Sequence, residues 1–499
     1  MSYEQRKRIF VELILFTVML LCLYAWITNY SLMFCSFGSG GGGRKNYFCD
    51  QVIFELIGKA WANGSPAYTS YFDHKGPAVF LFCALGYAID GTWNGLLWLY
   101  AVWTALSMYI FYRIVVYMCG ISNFKCMAMS VAFSIITILW VWSLDIPNGM
   151  TVTQIAMPWL LTCAFILCYW HKTNCFKSHW LFHVLYGIFC MMTMLGRASD
   201  IIFVFLAYVF LFCYEFKKPC RTLFINLLAT IAGGFGVYLI FAVYFAVYDV
   251  FDKFMYAFLW GNFRYLSGNT ETETGEWCVI IFAILGVFSG ISAYKKNFRI
   301  VPVLTASVIH AVFYFMGTRY LTYLCGFFID MSVLLLWTVE DMSFMSGRRK
   351  KLLYIAAGLY AFVFVFISLV DNDYVAWLCI SKAEMSQPVD ELSDYIIASG
   401  KSYAIYNDRY LLGTMMDSGY ELPVGKYALF QNWHVATNVI TREQLESDIR
   451  MSQPDIIVVY QYLLCDCSVF DGYDLIKTCD YSDDSFRTKD IVYYVYEKK

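Results

Sequence analysis

RTLFINLLATIAGGFGVYLIFAVYFAVY, residues 221–248, holds no charged side chain between Arg221 and Asp249. A helix needs roughly 20 apolar residues to cross about 30 Å of hydrocarbon, and this run is long enough. The rest of the chain has the same character. Of its 499 residues, 60% are hydrophobic and 15% charged. Soluble domains hold about 45–50% apolar and about 25% charged residues, so disorder, a fibrous repeat and an ordinary cytosolic enzyme are excluded. A net charge of −2 leaves no basic excess for nucleic acid. Aromatic residues make up 20%, which suits apolar helices with rings at the membrane interfaces.

About eleven stretches read as spans: 9–33, 92–117, 124–143, 151–171, 179–196, 199–216, 222–248, 278–294, 300–316, 320–338 and 352–370. The run 76–90 is shorter and reads as a re-entrant or interface helix. The first span follows Arg6, Lys7 and Arg8 and is too long for a signal-peptide core. Lysine and arginine gather at one set of span ends, from Arg113 and Lys125 through Lys217 and Lys218 to Arg348–Lys351. The short opposite loops carry only Arg197 and Arg319. This asymmetry predicts a multi-pass protein of the plasma (cytoplasmic) membrane, with a cytoplasmic N-terminus and an extracytoplasmic C-terminus.

Three outer segments are then large: 34–91, 249–277 and everything after Asp371. The chain divides into a membrane part, 1–371, and a soluble part, 372–499. In the latter, SYAIYND (402–408), DIIVVYQ (455–461) and DIVYYVYEK (490–498) read as strands, and 388–399 and 442–451 as helices. That is a small extracytoplasmic α/β domain. No phosphate-binding glycine motif or nucleophile elbow is present. GSGGGG (38–43) is a flexible loop. Most cysteines lie inside apolar runs as small hydrophobes, and Cys465, Cys467 and Cys479 lack a partner set for a zinc site and read as free thiols.

The first outer loop is richest in chemistry. In DQVIFELIGKAWANG (50–64), Val52, Ile53, Leu56, Ile57, Ala60 and Trp61 recur at helical spacing and predict an amphipathic helix along the membrane surface. Asp50 opens it, as an N-cap or as a site group. Glu55 faces another side and reads as solvated. In YTSYFDHKGP (68–77), Lys75 and His74 can meet an anion and Asp73 can take a proton or orient a neighbour. Pro77 fits a first helical turn. Arg197 and Asp200 in LGRASD (195–200), and Arg319 in GTRYLTY (317–323), stand at outer span ends. Each arginine can pair with a phosphate or snorkel to headgroups. Asp145, in SLDIPNG (143–149), is a helix-end residue or a site group.

The order of these pieces resembles the GT-C membrane glycosyltransferases, in particular bacterial relatives of protein O-mannosyltransferases and lipid A aminoarabinose transferases. The residues that carry the resemblance are CDQVIFELIGKAWANG (49–64), GSPAYTSYFDHKGP (64–77), NGMTVTQIAMPW (148–159), LGRASD (195–200) and FMYAFLWGNFRYLSG (254–268), with a trailing outer α/β domain. Thr153 and Gln154 stand where relatives often carry acidic residues, and Thr322-Tyr323 where many have His-Tyr. The resemblance implies a GT-C-like helical fold and transfer of a sugar from a polyprenyl-phosphate carrier to a glycan, lipid or protein acceptor. It implies Asp50 as base, with Asp73 as a second catalytic candidate, Lys75, Arg197 and Arg319 on the donor phosphate, and His74 assisting; Asp145, if a site group, would assist as well. A divalent metal ion at His74, as in some relatives, is left open. Two other classes fit the same frame: a flippase of lipid-linked sugars, and a noncatalytic subunit of surface-polysaccharide assembly.

Overall fold

The computed structural model describes residues 3–30, 49–119, 150–173, 176, 179–216, 221–262, 264, 286, 300–316, 324–342, 387–407, 411–417, 420–428, 430, 432–461, 463, 465–481 and 491–499. The membrane part holds helices α1 (Tyr3–Tyr30), α2 (Cys49–Ala62), α3 (Pro77–Asp90), α4 (Trp93–Cys119), α5 (Val152–Thr173) and α6 (Trp180–Met194). It continues with a 3₁₀ turn (Ala198–Ile201), α7 (Ile202–Glu215), α8 (Arg221–Val247), the short α9 (Phe251–Met255) running into a π-helical turn (Tyr256–Gly261), α10 (Ile300–Met316) and α11 (Leu324–Met342). Among the described residues, four helices are long and apolar enough to cross a membrane: α4, α5, the 3₁₀ turn with α7, and α8. The expected spans 124–143 and 352–370 lie outside the described residues, as do 278–294 apart from residue 286 and the loop residues 263 and 265–277.

Burial sorts the spans. In α5, 83% of the most apolar stretch is buried, against 22% in α8. Helix α5 is therefore the hub, packed on α4, α6 and α11. Helix α8 leaves Phe224, Leu228, Ile231, Phe235 and Ile240 exposed, a face suited to lipid. Its other face meets α6 through small residues. A Cβ at Gly187 would lie 2.0 Å from the Thr230 carbonyl oxygen, and one at Gly233 would lie 2.2 Å from that of Val184. Lipid tails offer no hydrophobic drive between helices, so such close backbone approach supplies the packing. His310 Nδ1 and Asp330 Oδ2, 2.9 Å apart, join α10 to α11.

The first outer loop departs from its expected form. Helix α2 is buried all round from Gln51 to Gly58, packed on α3 and on a helix of the C-terminal domain, so the surface-lying amphipathic helix is not found. Glu55 is 1% exposed and accepts from the Tyr87 hydroxyl at 3.3 Å. The helical periodicity was correct, but a protein cover takes the place of water on the polar side. Helix α3 starts with Pro77 after an extended Gly76 and stops at Gly91, whose φ of 74° lets its N–H reach the Tyr87 carbonyl.

The C-terminal part comprises α12 (Gln387–Ser399), β1 (Tyr403–Tyr406), α13 (Leu411–Asp417), α14 (Asn432–Ala436), α15 (Arg442–Ser452), β2 (Ile456–Tyr460), β3 (Tyr473–Tyr481) and β4 (Ile491–Lys498). The sheet order is β1-β2-β4-β3. Strands β1 and β2 are parallel and fully buried, and the other pairs are antiparallel. A capping box between Thr441 and Gln444 starts α15. This domain sits on the first outer loop. Tyr71 Oη donates to the Pro423 carbonyl at 2.6 Å, Phe72 N to the Lys426 carbonyl at 3.3 Å, and Tyr256 Oη to the Val439 carbonyl at 2.8 Å. The Phe72 and Phe430 rings stack at 6.2 Å. The described cysteines are free thiols, Cys465, Cys467 and Cys479 among them.

The α6–α8 crossing is testable. Gly233→Leu should cost about 1–3 kcal/mol or more by overpacking and lower the thermal unfolding midpoint in detergent. Gly236→Leu, with nothing within 4 Å of its Cβ position, should leave the midpoint in place.

Candidate active site

The segment 68–77 is held in one shape from three sides. Tyr68 takes a positive φ of 70°, and its buried hydroxyl donates to the Lys75 carbonyl at 2.8 Å. Asp73 Oδ1 accepts from the Lys75 amide at 2.7 Å, a side-chain turn over two residues. Gly76 N and Ala78 N then donate to the carbonyls of Gly196 and Leu195 at 3.3 and 3.2 Å. A Cβ on Gly76 would fall 1.9 Å from the Leu195 carbonyl oxygen, so only glycine permits this contact. The segment is thereby fastened to LGRASD, and Lys75 and Arg197 come to the same place.

His74 is at the centre. It is 1% exposed, its Nδ1 lies 3.4 Å from Asp73 Oδ1, and Lys75 Nζ stands 2.6 Å from its Nε2. The ammonium donates to Nε2, which leaves the ring proton on Nδ1, toward the carboxylate. Burial first, then the charges of Lys75, His434 and Arg197, holds the His74 pKa well below the usual imidazole value. Burial, with Asp73 beside it, pushes the Tyr68 phenol up. Asn262 Nδ2 reaches the His74 carbonyl at 3.5 Å, and Gly261 lets the π-helical turn approach the His74 side chain.

Arg197 Nη1 donates to Thr153 Oγ1 at 3.0 Å and lies 3.5 Å from Asp200 Oδ1. Thr153 in turn donates to Asp200 Oδ2 at 2.9 Å. Thr153 thus links the arginine to its carboxylate from the start of α5. Gln154 is structural, its Oε1 accepting from Tyr100 Oη at 2.5 Å and Thr151 N at 3.2 Å. The structure therefore brings together Asp73, His74, Lys75, Arg197 and Asp200. Asp50 stands in the first turn of α2, and its side chain lies outside what is described. Asp145 and Arg319 also lie outside the described residues.

One member was missed in the sequence. His434, on α14 of the C-terminal domain, is 1% exposed, and its ring centroid lies 5.8 Å from that of His74. Ligand atoms of Asp73, His74 and His434 all lie within 4.8 Å of one another. Two imidazoles and a carboxylate are a donor set that suits a divalent transition-metal ion. The only hint in sequence is scarcity, since the chain has 6 histidines.

No family model matches the chain, and no curated protein matches it. Solved structures do. ArnT from Cupriavidus metallidurans, bound to undecaprenyl phosphate, aligns with a TM-score of 0.52 at 11% identity, over 97% of this chain and 97% of that one. The apo oligosaccharyltransferase of Archaeoglobus fulgidus aligns with a TM-score of 0.52 at 10% identity, over 89% of this chain and 69% of that one. At such identities the likeness is one of fold alone.

Proposed function

We propose that this chain transfers a sugar from a polyprenyl-phosphate carrier to an acceptor glycan, lipid or protein at the outer face of the plasma membrane. The observation that supports this best is the meeting of Lys75 and Arg197 around buried His74, fixed by the backbone bonds of Gly76 and Ala78 to the LGRASD segment. Two cations from separate segments, positioned before any ligand arrives, suit a phosphate leaving group. The undecaprenyl phosphate held by the Cupriavidus ArnT structure is a carrier of this class.

In this reading an acceptor oxygen bonds to the anomeric carbon as the bond from that carbon to the phosphate oxygen breaks. The acceptor proton passes to Asp50, the base. The carrier leaves as polyprenyl phosphate, its added negative charge met by Lys75 and Arg197, with Arg319 as a third cation. Asp73 holds the Lys75 amide and faces the His74 ring, so it sets the position of both. Asp145 assists from its outer loop. A divalent ion, when bound by Asp73, His74 and His434, would add positive charge beside the phosphate. The membrane part, 1–371, carries the chemistry, and the domain 372–499 covers it from outside, with the N-terminus in the cytoplasm.

Three outcomes follow. Asp50→Asn, inserted normally, should abolish transfer from polyprenyl-phosphate hexoses in reconstituted vesicles, and turnover near that of the unaltered protein rejects the base. Lys75→Ala and Arg197→Ala should each weaken binding of a polyprenyl phosphate by about ten- to a hundredfold, the worth of a charged hydrogen bond; unchanged affinity removes them from the donor site. Cys467, exposed on the C-terminal domain, should take a membrane-impermeant maleimide in intact cells. Its protection there, with labelling after lysis, would invert the proposed orientation.

A further inference from the structure

The residues around His434 carry much of the contact between the C-terminal domain and the membrane part. Phe430, four residues before it, packs edge-on against its ring at 4.3 Å and stacks on Phe72 across the seam. After it, the His434 carbonyl accepts from Val439 N at 2.9 Å. The carbonyls of Asn438 and Val439 in turn accept from Arg264 Nη1 at 3.2 Å and Tyr256 Oη at 2.8 Å, both in the membrane part. A bond made by the His434 ring therefore acts in the middle of this seam.

Asp73 and His74 stand on the opposite side, in the segment fastened to the membrane part through Gly76 and Ala78. All three side chains are buried. A tetrahedral ion with bonds of about 2.0–2.1 Å to nitrogen and oxygen needs its donors roughly 3.4 Å apart. His74 Nδ1 and Asp73 Oδ1 are 3.4 Å apart, so two donors already hold that spacing. The His434 donor lies within 4.8 Å of both, and a shift on the order of 1 Å brings it to the same spacing. Lys75 Nζ takes the other ring nitrogen, Nε2, at 2.6 Å. An ion on Nδ1 would send the ring proton to Nε2 and turn Lys75 away from the ring. Imidazole donors favour zinc and its neighbours over magnesium and calcium, which take oxygen. Two of the donors belong to the first outer loop and the third to the domain that covers it, so an ion bound by all three joins the two parts.

We propose that an ion of the zinc class, held by Asp73, His74 and His434, staples the C-terminal domain onto the first outer loop, so that seating of the domain over the site depends on the ion. The staple shares its site with the transferase reading, and its test does not involve transfer. The full chain in phosphatidylcholine nanodiscs, stripped of metal with a chelator, is followed by hydrogen exchange at the amides of 423–440, with and without zinc chloride. An ion that binds only the seated form, at a hundred times its dissociation constant, lowers the population of the open form about a hundredfold. The open form keeps two of the three ligands, so exchange should slow by about tenfold or more. Magnesium chloride should leave exchange unchanged. His434→Ala should remove the zinc response. So should Asp73→Asn, which keeps an oxygen for the Lys75 amide and acts from the far side of the seam, where it cannot unfold the domain directly. Zinc without effect on the unaltered chain, an equal effect of magnesium, or a zinc response that survives either substitution overturns the staple. A zinc-dependent seam in a chain that transfers no sugar refutes the transferase reading and leaves the staple standing; a zinc-indifferent seam in a chain that transfers sugar does the reverse.

Discussion

The site depends on a backbone contact that no side chain could make. Gly76 and Ala78 donate to the carbonyls of residues 195 and 196, and the space at Gly76 admits no Cβ. That contact draws the first outer loop against the turn between α6 and α7, and with it Lys75 to Arg197. Peptide groups carry no net charge and few degrees of freedom, so they hold two repelling cations at a fixed spacing without depending on either cation's own bonds. Pro77, directly after, sets the entry angle of α3.

Around this contact the fold surrounds His74 with partners from four places in the chain: its own segment, the LGRASD turn, the π-helical turn ending at Gly261, and α14 of the C-terminal domain. The last makes the soluble domain part of the candidate centre. Burial of α2 by α13 and α3 belongs to the same closure, and it explains why Glu55 is covered by Tyr87 and shielded from water.

Sequence reading went furthest where one physical signal dominates. The apolar runs of α4, α5, α7 and α8 stand within a few residues of their expected bounds, because membrane crossing demands length and lack of charge together. Strands β1, β2 and β4 were legible from dense β-branched and aromatic residues. Strand β3 was not, since Asp474, Lys477, Thr478 and Asp480 give it the look of a loop; it lies at the sheet edge, where polar side chains are tolerated. The run Asp73-His74-Lys75 and Arg197 were legible as chemistry. His434 was not, because a lone histidine in NWHVA carries no local pattern and only tertiary packing brings it to His74. The side of α2 facing Glu55 was misread for a related reason: periodicity shows that a face is polar, not what covers it.

The seam between the two parts has a consequence for the surrounding medium. Among the described residues, hydrogen bonds from Tyr71, Phe72 and Tyr256 cross it to main-chain carbonyls, and the apolar ring of Phe72 stacks on that of Phe430. Arg264 adds a guanidinium, and it too ends on a carbonyl, that of Asn438. Mobile ions screen interactions between exposed charges over about 10 Å at 0.1 M salt, but they have little purchase on such a seam. These contacts are thus fitted to hold through swings of salinity that would loosen a seam made of ion pairs.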